Sequence, residues 1–221
     1  MADAPPSKTN VSPERGRVTF EAEGNEGGRY HSRVLHVPSA SSGLTLGRGY
    51  DMKSKSSATI ATDLIKAGVD PENARKLSEA AGLSGEAAKK FIQDQGMNGF
   101  EISEMAQKNL FDITYQSEAG DAKRICEKSD TRALFGACEW EKLAPEIQDM
   151  VVDLKYRGDY TPAARLKIQK LVASNDLEGL AQALSDASNW RNVPKDRFER
   201  RRTYIQAAVA EKRKQEKLKP K

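Results

Sequence analysis

From residue 58 onward the sequence is a near-unbroken succession of helix-length segments, which limits the fold to one with a dominant helical body. Helical apolar spacing predicts helices over 58–67, 71–81, 85–94, 102–117, 145–157, 162–174, 176–187 and 194–217. Three starts carry cap chemistry, at Asp70-Pro71, Thr161-Pro162 and Ser84-Gly85. There a side-chain oxygen satisfies a free N–H of the first turn, and proline presets the helical φ. Gly68, Gly82, Gly96 and Gly158 punctuate the ends. There is no internal repeat.

Upstream the pattern differs. Residues 1–12 lack apolar periodicity and are expected to be disordered. Ser12-Pro13 reads as N-cap and first residue of a helix PERGRVTFEAEG, which ends with Glu23 just before Gly24. A carboxyl group there faces the negative end of the helix dipole, a setting that favours its protonated form. The segments RYHSRVLHVP and GLTLGRGYDM, within 29–52, alternate and are broken by Gly, Ser and Pro, as short strands joined by tight turns would be. The expected architecture is α+β: one domain over 13–217, with a small helix-and-hairpin lobe at 13–56, a helical lobe at 57–217 and a ligand cleft between them, then a basic tail end at 218–221.

The acids of the small lobe are Glu14, Glu21, Glu23, Glu26 and Asp51. Glu21 and Glu23 point to different helix faces, so at most one of them meets a given cleft. The second carboxylate is then Glu26 or Asp51. Glu26, in a Gly-rich turn, reads as solvated, whereas Asp51 follows Gly47 and Gly49, which permit close backbone approach to a ligand. Two carboxylates beside a polar pocket suit glycosidic cleavage, one holding a proton for the leaving oxygen and the other staying ionised on the opposite face of the sugar. The same glycines match neither a Walker loop nor a dinucleotide fingerprint.

Glu23-Gly24 at a helix end, followed by Thr45-Leu46-Gly47-Arg48-Gly49-Tyr50-Asp51, resembles the phage-type lysozymes, and among them the pesticin-like toxin branch, in which the aspartate follows the threonine. Asn189-Trp190, Pro194, Arg197 and Arg201 resemble the Trp/Pro/Arg ending of the phage enzymes, so the similarity spans roughly residues 16–210. The resemblance implies a phage-lysozyme-like fold and a muramidase that cleaves the β-1,4 bond between N-acetylmuramic acid and N-acetylglucosamine. Glu23 matches the general acid, Thr45 the water-positioning hydroxyl and Asp51 the carboxylate; Tyr50 and Arg48 are candidate sugar contacts. It further implies a bacteriolytic, antimicrobial toxin acting as a monomer on peptidoglycan, with an immunity or inhibitor protein as partner and no cofactor or nucleic acid. Separately, two Cys and two His make a zinc site unexpected, and no run approaches the ~18 apolar residues of a membrane span, so no membrane insertion is expected.

Two other readings stay open. A non-catalytic cell-wall or nucleic-acid binding module would use the basic C-terminus, where residues 194–221 hold eleven Lys/Arg against four Asp/Glu; the plainer alternative is a solvated helix face. A chitinase or lytic transglycosylase would keep the fold and change the product. The opening MADAPPSKTNVSPERG has no apolar core of a signal peptide, so synthesis in the cytoplasm and delivery to the periplasmic cell wall by another route are expected. Cys126 and Cys138 read as two partly buried thiols and Trp140 and Trp190 as core aromatics, while DLKYRGDY at 153–160 is either a cleft wall or a surface turn.

Overall fold

A computed structural model describes residues 11–28 and 31–218. Most of the expected disordered start (1–12), and all but Leu218 of the tail end, therefore lie outside the described residues. The fold is mostly helical with one two-stranded antiparallel sheet, an α+β chain with a helical body. It divides into two compact units, residues 1–114 and 115–221.

The first unit begins with α1 (Arg17–Ala22), shorter than expected because Gly16, left-handed at φ 67°, caps it one residue upstream. The expected helix start at Ser12-Pro13 is therefore corrected. The hairpin pairs β1 (Thr45–Leu46) with β2 (Tyr50–Asp51), and α2 (Ser57–Ala67), α3 (Pro71–Ser78) and α4 (Gly85–Asp94) follow. Residues 31–37, expected as a strand, form only isolated bridges, His31 with Asn25, Val34 with Glu101 and His36 with Thr45. They lie between two partners, bonding Leu35 N–H to Phe100 O on one side and His36 N–H to Thr45 O on the other.

Such a hairpin is too small to bury a core of its own. Leu44, Leu46, Tyr50 and Met52 instead share one apolar cluster with Ile60, Leu64, Leu77 and Leu110. Full burial of one such side chain stabilises by about 1.5–3 kcal/mol, so these helices are what hold the hairpin. This explains why the first unit extends past residue 56. The Asp70 cap is made, its carboxylate accepting from Glu72 and Asn73 N–H. Ser84 makes no side-chain cap, and the Gly85 N–H donates to Ser42 O instead.

Helix α5 (Glu104–Glu127) runs ten residues past its expected end at 117, with Gly120 inside it facing open space. The second unit continues with α6 (Ser129–Phe135), which was not foreseen, then α7 (Pro145–Arg157), α8 (Pro162–Ala173), α9 (Leu177–Ser185) and α10 (Lys195–Leu218). Helix α9 packs on α8 and α10. Segment 153–160 is neither an open wall nor a simple surface turn. Asp153 is 0% exposed and binds Arg197 Nη2 and Arg201 Nε, each at 2.6 Å, while Asp159 binds Arg201 Nη1 at 2.8 Å. Trp190 is buried with its Nε1–H on Ala183 O, and Trp140 is buried as expected. Cys126 and Cys138 are both free and buried. Hydrogen bonds with Cys138, Tyr160 and Gln169 outweigh burial and lower the ionisation of the Cys126 thiol below its usual range. Among the described residues no helix is long and apolar enough to cross a membrane.

Candidate active site

All three residues matched to catalytic roles lie in the first unit. Glu23 is the residue after α1, half-buried, its N–H donating to Thr19 O at 2.9 Å. Thr45 and Asp51 face each other across the hairpin, in register Thr45↔Asp51. Met52 N–H donates to Leu44 O at 2.9 Å, so the adjacent Thr45–Asp51 pair is of the non-hydrogen-bonded kind. In that kind the facing side chains stand closest. The turn between them is possible because Gly47 and Gly49 take φ of 61° and 89°.

Gly43 joins the two side chains. Its N–H donates to Asp51 Oδ2 at 3.1 Å, and its carbonyl accepts from Thr45 Oγ1 at 3.2 Å. The other carboxylate oxygen, Oδ1, accepts from Lys53 N–H at 2.8 Å. A carboxylate held by two backbone N–H groups is fixed in direction, and each oxygen keeps a second lone pair. The Thr45 hydroxyl has donated its proton to Gly43 O, so its remaining capacity is as an acceptor. The pair therefore holds two acceptors across the hairpin, Thr45 buried at 5% exposed and Asp51 half-buried. A water donating one hydrogen to each would keep its own lone pairs free.

Arg48 and Tyr50, the expected sugar contacts, are corrected by their burial. Tyr50 is 1% exposed and its hydroxyl donates to Asp63 Oδ2 at 2.9 Å. Burial, then the bond to Asp63, push its ionisation well above the ordinary tyrosine range. Arg48 is 5% exposed, with its Nη1 on Phe20 O at 2.5 Å and Gly24 O at 2.8 Å, and its Nη2 on Glu26 Oε1 at 3.0 Å. Burial lowers its pKa and the neighbouring Glu26 opposes that shift. Both side chains are committed to the scaffold.

Glu26, read from sequence as solvated, is the largest departure. Its side chain is 8% exposed and gathers Arg48, Gln107 Nε2 at 2.5 Å and Arg33 Nε at 3.1 Å. His31 closes the cluster, accepting from Gly27 N–H on Nδ1 and donating through Nε2 to Glu101 at 3.0 Å. That bond, reinforced by the Arg33 charge, holds the Glu101 carboxyl below its usual range despite partial desolvation. Glu26 was missed because two of its partners arrive from farther along the chain, Arg48 lying 22 and Gln107 81 residues on. Gly43, the hub of the Thr45–Asp51 pair, carries no signal in a single sequence beyond being a glycine.

A comparison with curated proteins finds no match. A family model described as "Domain of unknown function (DUF8812)" matches residues 16–202, most of the described chain, and the protein belongs to that family.

Proposed function

We propose that the protein is a phage-lysozyme-like muramidase that hydrolyses the β-1,4 bond between N-acetylmuramic acid and N-acetylglucosamine with inversion. Glu23 protonates the leaving glycosidic oxygen. Asp51 and Thr45 hold the attacking water on the opposite face of the ring, and Asp51 takes its proton as the C–O bond forms. One observation carries the reading. The register that sets Thr45 against Asp51 leaves two acceptors together on one face of a hairpin whose turn residue, Arg48, bonds the carbonyl immediately after Glu23. The motif Thr-x-Gly-x-Gly-x-Asp, which carries the resemblance, thus acquires a physical use. A toxin-like role, a peptidoglycan substrate reached in the cell wall and an inhibitor partner belong to the same proposal.

The test is release of muropeptides from purified peptidoglycan by the full chain, compared with Glu23→Gln. Loss of a general acid costs typically 10²–10⁴-fold, and the variant should fold and melt like the parent. Products should carry hydrated reducing ends of the inverted anomer when sampled early. Anhydro ends would replace hydrolysis by transglycosylation, and unchanged turnover in Glu23→Gln would remove Glu23 from the chemistry.

A further inference from the structure

The mechanism proposed above gives the buried cation Arg48 no chemical role. Arg48 stands at the tip of the hairpin, three residues from Thr45 and three from Asp51. Its guanidinium reaches back to α1 and bonds Phe20 O and Gly24 O, the carbonyls three residues before and one after Glu23. A carbonyl of the last helical turn needs a donor from outside the helix, and a cation at a helix C-terminus also meets the favourable end of the dipole. The guanidinium carbon lies 3.9 Å from the centre of the Phe20 ring, which Phe111 supports edge-on at 5.0 Å. The second terminal nitrogen is held by Glu26, itself fixed by Gln107 and Arg33.

We infer that Arg48 is the positioning residue for the acid: its guanidinium locks the peptide that carries Glu23 to the hairpin that carries Thr45 and Asp51. This rests on the muramidase reading for its consequence in catalysis, while the lock itself is a property of the fold. Two details favour a lock over general packing. The guanidinium engages the chain on both sides of Glu23, which removes hinge freedom from that residue. Gly24 also leaves no room for play, since a Cβ there would stand 2.4 Å from Ser32 Oγ and 2.9 Å from Arg48 Cγ. Lysine cannot reproduce the fork, because an ammonium is a point donor that cannot span two carbonyls and a carboxylate in one plane.

The experiment uses the full chain with Arg48→Lys, which keeps the charge, and Glu26→Gln, which loosens the same lock from its other side. Amide exchange over residues 22–26 should quicken at least about tenfold in Arg48→Lys while exchange in the second unit stays unchanged. On peptidoglycan kcat should fall by about 10²-fold, as expected for a displacement near 1 Å, with KM little altered because substrate binding is not the step affected. Glu26→Gln should move both readouts the same way and less far, and it serves in place of Arg48→Lys should that variant fail to fold. Unchanged exchange at 22–26, or a wild-type kcat in folded Arg48→Lys, would overturn the inference. If Glu23→Gln retained full activity the muramidase reading would fall, yet the exchange measurement would still decide whether Arg48 holds that segment.

Discussion

Replacing Gly43 by alanine tests the proposed water site with a single methyl group. A Cβ at position 43 would stand 2.3 Å from Asp51 Oδ1, 2.6 Å from Lys53 Cβ and 2.7 Å from Lys53 N, whereas ordinary contact begins at 3.4 Å. The carboxylate must therefore withdraw by about 1 Å, and the backbone at Lys53 stops the strand from moving as a whole to absorb the methyl. Misplacement on this scale costs about 10²-fold in turnover, or about 2.7 kcal/mol of barrier. The carboxylate itself remains, so this loss is one of geometry. The assay is the initial rate of muropeptide release by the parent, Gly43→Ala and Asp51→Asn, each accompanied by a melting curve. Turnover of Gly43→Ala should fall towards that of Asp51→Asn, with KM little changed because the methyl acts on the attacking water and not on sugar binding. A folded Gly43→Ala variant with parental turnover would refute the reasoning, since Asp51 would then tolerate a displacement that water activation does not.

If Thr45 and Asp51 hold one water, Thr45→Ala combined with Asp51→Asn should cost little more than Asp51→Asn alone; fully multiplicative losses in kcat would assign them to separate steps. In the second unit, Asp153→Asn removes the buried carboxylate that compensates Arg197 and Arg201, and breaking a buried pair costs about 3–5 kcal/mol. The melting temperature should drop by roughly 6–20 °C for a chain of this size, and a drop of only a degree or two would show that water reaches the network. The lowered Glu101 carboxyl links stability to pH. A depressed folded-state pKa stabilises above the ordinary carboxylate range and loses that contribution as pH falls through the folded value. Glu101→Gln should therefore melt below the parent at neutral pH and converge with it in acid; a difference that persists in strong acid would point to packing instead.

The helical body was legible because each of its determinants is local. Apolar spacing, the Asp70 and Thr161 caps and the glycine ends all act within a turn of the residue concerned, and α4 and α7 begin and end where the sequence places them. Two boundaries were missed where a glycine did not play the part its neighbours suggested. α1 began late because Gly16 was available to cap it in a left-handed conformation. α5 ran on past 117 although Gly120 weakens it by about 1 kcal/mol relative to alanine.

The candidate site divides along the same line, and the division explains which acid was misread. Thr45 and Asp51 come together through a turn of a few residues, so a motif of seven contiguous positions contains the whole pairing. Glu26 has one nearby partner, Arg33 seven residues on, but the two that enclose it lie much farther along the chain. In the sequence it is an acid among glycines, and such a residue is ordinarily solvated. In the fold, Arg48 and Gln107 both donate to its carboxylate, and the cost of burying that charge is offset by paired donors that only tertiary structure brings together. Arg48 was misread for the complementary reason. A cation between two glycines in a turn looks exposed and ready for a ligand, yet the same glycines let the backbone fold tightly enough to turn it inward onto Phe20, Gly24 and Glu26. A charged residue in a glycine-rich turn thus has two physical outcomes, solvation or capture by a distant partner of opposite sign. A single sequence does not choose between them, because what decides it is whether that partner is brought within about 3 Å.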